Sequence, residues 1–102
     1  MSRKHVVKAT VYDKKGRKLA EGYNSYTRTH PLQAHFANLV GKPDSVFLHA
    51  ELLAILRAGS KKIHRIHIER YSVSGNPVLA APCVICRRAI AAFGISRITY
   101  TV

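Results

Sequence analysis

Across residues 5–12 apolar and polar side chains alternate, with Val7, Ala9 and Val11 on one side and Lys8, Thr10 and Tyr12 on the other. A period of two marks a strand with one buried face. Asp13-Lys14-Lys15-Gly16 supplies turn residues, and residues 17–23 return as the second arm of a hairpin. The pattern is then lost over residues 24–45, where Ser25, Thr27, Thr29, Pro31, Gly41, Pro43 and Asp44 interrupt it. Within this stretch Leu32, Phe36 and Val40 recur every four residues behind Pro31, which predicts a short helix over 31–40 closed by Gly41. So long a connection is expected to carry a binding role.

Residues 48–58 read as a helix ended by Gly59, and the run 52–56 leaves it apolar nearly all round. A strand over 63–71 follows, with Ile66 and Ile68 on one face, and then a loop over 72–81 containing Gly75-Asn76-Pro77. Pro82 opens a second apolar helix over 83–93, Gly94 ends it, and Ile98, Tyr100 and Val102 share a face of the last strand. The order predicts an α/β fold of three layers. Its mixed sheet of four strands has an N-terminal β-hairpin, then parallel strands joined by the two apolar helices. Such a sheet covers one side of each helix, so a homo-oligomer is expected to cover the rest.

Composition adds one folded unit and a strong field. The 102 residues are expected to form a single compact domain, residues 1–102, because 47% are hydrophobic and 22% charged. Seventeen Lys and Arg against five Asp and Glu give a formal charge of +12, which favours polyanionic partners such as nucleotides or nucleic acid. No apolar run approaches the ~20 residues of a membrane span, and no secretory core follows the basic first residues. No membrane partner is expected. Cys83 and Cys86, three apart, fit a metal or redox pair in a reducing, cytoplasmic setting better than a disulfide framework.

The chemistry concentrates in His49-Ala50-Glu51 and in Pro82-Cys83-Val84-Ile85-Cys86, each at the start of a predicted helix. On a helix Cys83 and Cys86 lie about 60° apart, so both sulfurs can face one metal. His49 and Glu51 lie roughly 200° apart on a regular helix and can converge only at its first turn. One imidazole and two thiolates leave a fourth zinc position open to water, as catalytic rather than structural zinc requires. Glu51 beside it is the candidate proton carrier, taking the water proton and passing protons to a nucleobase ring nitrogen and leaving amine. An H-x-E paired with P-C-x-x-C is the signature of zinc nucleobase deaminases.

On these residues the chain resembles the cytidine and deoxycytidylate deaminase superfamily, from the hairpin to Val102. The resemblance implies a deaminase-like fold, Zn2+ held by His49, Cys83 and Cys86, and Glu51 as the catalytic proton shuttle. Asn24, after Gly22-Tyr23, matches an asparagine that binds substrate in several branches. Ala50, Tyr26 and Arg28 complete the candidate substrate contacts. Histidine as the first ligand is more like the deoxycytidylate, tRNA-adenosine and polynucleotide-cytidine branches than the free cytidine deaminases. The chain lacks an obvious helix before its first strand and stops where relatives commonly add a strand and helix, so a partner subunit is expected to complete the pocket.

The expected reaction is hydrolytic deamination of cytosine in a (deoxy)cytidine nucleotide. The alternatives are a cytosine or adenine within tRNA or single-stranded nucleic acid, and a non-catalytic zinc-stabilised module that binds nucleic acid. A lone C-x-x-C also fits a redox pair, two buried thiols, or a structural zinc site completed by His30, His35, His64 or His67.

Overall fold

The computed structural model describes residues 5–101. Its elements in chain order are β1 (Val6–Tyr12), β2 (Lys18–Tyr23), α1 (Pro31–Leu39), α2 (Ala50–Ala58), β3 (Arg65–Tyr71), β4 (Pro77–Val78), α3 (Val84–Ala92) and β5 (Arg97–Tyr100). The hairpin forms as its alternation requires. Asp13 holds the turn, accepting hydrogen bonds from the Lys15 and Arg17 amides and an ion pair from the Arg17 guanidinium.

The sheet is mixed. β1 lies between β2 and β3 and is antiparallel to both. The other edge of β3 is shared: β5 runs parallel along residues 65–68, and β4 runs antiparallel beside Arg70 and Tyr71. The expected parallel pair is therefore β3 with β5, joined through α3. The connection through α2 joins strands that point the same way but have β1 between them. Among the described residues the sheet has five strands where four were expected, because a two-residue strand is too short to show periodicity. Thr101 extends the pairing through its amide to the Ile68 carbonyl, while Val102 lies outside the described residues.

The layers stack as sheet, α2 with α3, then α1. On the sheet side Ala9, Val11, Ile66 and Ile68 pack against Ala50, Ala54, Ile55 and Ala58 of α2 and Ile90 of α3. Alanines four apart on α2 give the helix a smooth stripe that lies close on the strands. On the far side Phe36 and Ala37 of α1 pack against Leu52 of α2 and Ile85 and Ala89 of α3. This explains why α2 is apolar nearly all round: a sheet lies on one side and a helix on the other. Part of the covering assigned from sequence to a second copy is thus supplied by α1.

Among the described residues no helix packs on the opposite face of the sheet. That face is polar and internally paired: Lys8 meets Glu21 at 3.3 Å, His67 Nδ1 lies 2.7 Å from Thr99 Oγ1, and the Arg65 guanidinium sits over the Tyr12 ring at 4.1 Å.

Candidate active site

Both motif helices begin at the same end of the sheet, and each starts with a candidate metal ligand. His49 is the N-cap of α2 and Cys83 the N-cap of α3, and neither side chain makes a capping hydrogen bond. Ser, Thr, Asp and Asn dominate this position because their oxygens satisfy free amides. Here the side chains are turned away from that task. His49 Nδ1 lies 3.2 Å from Cys86 Sγ and 3.5 Å from Cys83 Sγ. All three ligand atoms fall within 4.8 Å of one another.

This donor set fits Zn2+. Zinc bonds of about 2.3 Å to sulfur and 2.0 Å to nitrogen in a tetrahedron put ligand atoms roughly 3.5–3.8 Å apart, close to the separations seen. Electrostatics favour the Cys83 thiolate. The Cys83 thiol is lowered to about 4, first by a hydrogen bond from Cys86 and then by the imidazole of His49. Cys86, buried beside it, is raised because the first thiolate claims its proton and burial disfavours a second charge. The Cys83 interaction also raises the His49 imidazole. The N-termini of α2 and α3 add partial positive charge from their unpaired amides.

Glu51 enters from the first turn of α2 and is 5% exposed. Burial is the chief cause that pushes its carboxyl above the ordinary range. A carboxyl poised nearer neutrality both accepts and returns a proton readily. The helix-turn geometry that separates His49 from Glu51 in a regular helix is avoided because His49 stands outside α2, with extended backbone at φ −80° and ψ 155°.

A cavity of about 470 Å3 opens above this group. His49, Ala50, Glu51 and Cys83 line it, and Asn24 and Tyr26 stand on its wall; Arg28 is not among its lining residues. Asn24 is fixed by strand β1: its Oδ1 accepts the Val7 amide at 2.8 Å and its Nδ2 donates to the His5 carbonyl at 3.2 Å. The Tyr26 hydroxyl donates to the same carbonyl at 2.9 Å. Cross-links between the two ends of the long connection, Ser25 to Leu48 and Leu48 to Arg28, keep this wall beside the helix start. Sequence reasoning missed His5, Arg70, Phe47 and Asp44, which also line the cavity.

The cytidine and deoxycytidylate deaminase zinc-binding region matches residues 2–102 of the chain. The chain belongs to the cytidine and deoxycytidylate deaminase family. No curated protein matches it significantly. Membership in this deaminase family, with a His and two Cys placed to hold zinc, supports zinc-dependent hydrolytic deamination as its general chemistry.

Of the other histidines, His30 caps α1 through its Nδ1, and His64 and His67 bond Ser96 and Thr99. None joins the metal group of this deaminase domain. Among the described residues no helix is long and apolar enough to cross a membrane.

Proposed function

We propose that the protein hydrolyses the exocyclic amine of cytosine in a (deoxy)cytidine nucleotide, giving uracil and ammonia. The observation that carries this reading is the buried Glu51 carboxyl beside the His49, Cys83 and Cys86 donor set, on the floor of a cavity sized for a nucleotide. When bound, zinc acidifies a coordinated water toward a pKa of about 7. His49, Cys83 and Cys86 would hold the ion. Glu51 accepts the proton that water releases as its oxygen bonds to C4, and delivers it to ring N3. It carries the second proton, from the new hydroxyl on C4, to the amine; the C4–N bond breaks as the C4 carbonyl forms, and ammonia leaves. Asn24 and Tyr26 orient the nucleoside from the wall, with Ala50 beneath the base.

Replacing Glu51 by Gln removes the proton carrier without removing a ligand. Zinc content stays that of the wild type while turnover falls at least about 100-fold, read by ammonia release over a panel of cytosine nucleosides, nucleotides and oligonucleotides. Full activity in this variant refutes the assignment. Absence of product from every substrate with the wild type favours the zinc-stabilised binding module instead.

One observation favours a second reading, in which the base is held in nucleic acid. Lys14 and Lys15 of the hairpin turn and Lys62 before β3 line one groove of about 430 Å3 with Arg17 and His64. Lys14, Lys15 and Arg17 lie some 50 positions from Lys62 in sequence, yet the four cations converge, beside Asp13, at the far end of β1 and β3 from the active site. A polyanion spanning the sheet would meet both ends, and the oligonucleotide arm of the panel separates this reading from the first.

The same proposal includes self-association through apolar side chains that stay exposed, Leu39 of α1 and Val84 and Phe93 at the two ends of α3. A reducing, cytoplasmic setting that keeps both thiols available to zinc belongs to it as well.

A further inference from the structure

Side chains two apart on a strand share a face. Val7, Ala9 and Val11 on β1, and Ile66 and Ile68 on β3, face α2 and α3, and all but Val7 are nearly or fully buried. The same alternation brings His5, ahead of Val7, and Arg70, beyond Ile68, onto this face. Both line the active-site cavity. Val7 and Arg70 are cross-strand partners, and His5, two residues before Val7, lies at the same end of the sheet as Arg70. An otherwise apolar sheet face turns basic where it emerges from beneath the helices.

Among the described residues neither side chain has an ion-pair partner. The ion pairs among the described residues join Lys8, Arg17 and Lys18 to Glu21 and Asp13, and none reaches Arg70 or His5. Nδ1 of His5 is buried with no hydrogen-bond partner among the described residues. Buried polar atoms without partners are rare enough in folded proteins to require an explanation. The carboxylates facing this cavity are Glu51, on its floor, and Asp44, on the loop at its wall.

We propose that Arg70 and His5 form a phosphate subsite of this cavity, holding the phosphate of the nucleoside whose base lies over Glu51. The guanidinium supplies paired donors to two phosphate oxygens, and the imidazole supplies a third from the neighbouring strand. The ligand chemistry is a phosphate attached to a pyrimidine nucleoside, free as a monophosphate or joined in a phosphodiester. This rests on the deaminase reading above.

The experiment compares wild type, Arg70→Gln, Arg70→Lys and His5→Ala on cytidine, cytidine 5′-monophosphate and a short cytosine oligonucleotide. The Arg70→Gln loss in kcat/KM on a phosphate-bearing substrate exceeds the loss on cytidine by roughly 10- to 100-fold, mostly through KM, and Arg70→Lys recovers part of it. An effect on the monophosphate identifies a free nucleotide as the source, and an effect confined to the oligonucleotide identifies a phosphodiester. Equal losses on cytidine and on both phosphate-bearing substrates overturn the proposal. Calorimetric titration of zinc-loaded protein with cytidine 5′-monophosphate and with the oligonucleotide, each with and without inorganic phosphate as competitor, reads the subsite independently of turnover. If no substrate reacts, the deaminase reading fails. Weakened binding of either ligand by Arg70→Gln still supports the subsite, and unchanged binding of both removes it.

Discussion

Gln33 shows how one side chain can govern the chemistry without touching it. It is fully buried on α1, its Oε1 accepts the His49 amide at 3.2 Å, and its Nε2 donates to the Ser45 carbonyl at 3.4 Å. The third residue of a helix often reaches back to satisfy the N-cap amide, but in α2 that residue is Leu52, and Gln33 performs the task from another helix. Gln33→Met keeps the bulk and removes the acceptor, leaving a buried amide unpaired at a cost of about 1–3 kcal/mol. Its unfolding midpoint in urea falls accordingly, and turnover falls because His49 loses its anchor. Unchanged stability would show that water replaces the glutamine. His49, Glu51, Cys83 and Cys86 were legible in the sequence because their spacing within each motif carries the chemistry. Gln33, His5 and Arg70 were not, since a lone polar residue has no spacing and its role depends on which distant segment it meets.

Elements were legible wherever periodicity was long enough to count, and α1, α2, α3 and the hairpin fall within a residue or two of expectation. What periodicity cannot state is which face meets which neighbour. The approach of β2 to α2 is an example. A Cβ on Gly22 would lie 2.9 Å from the Ala54 amide nitrogen and 2.9 Å from Leu53 Cγ. The glycine is there because the helix backbone is there, and sequence alone showed it only as a neighbour of Asn24. Gly22→Ala is expected to destabilise by about 1–3 kcal/mol as α2 is pushed off the sheet. Thermal unfolding shows this as a fall of several degrees. Adding Leu53→Ala should not restore the loss, because the nearest obstacle includes main chain. Full recovery in the double variant would place the clash on the leucine side chain alone.

For the whole molecule, composition gave the charge of +12 but not where it gathers, since Lys15 and Lys62 meet only through the hairpin pairing with β3. The stacking of α1 outside α2 and α3 was equally hidden, because three apolar helices admit several orders of layers. The site itself joins helix starts 34 positions apart, His49 on one and Cys83 on the other. An ion shared by them is a cross-link, and it closes a loop that contains β3 and β4. The unfolded chain lacks such a cluster, so zinc binding is linked to folding, with a stabilisation of about 2.7 kcal/mol when free zinc is 100-fold above its dissociation constant. Thermal scans with zinc and with chelator should therefore differ in midpoint, and Cys86→Ser should abolish the difference; identical midpoints for the wild type would contradict it. A cell short of zinc would then lose this protein to unfolding and proteolysis, not merely silence it, so that its abundance would follow metal supply.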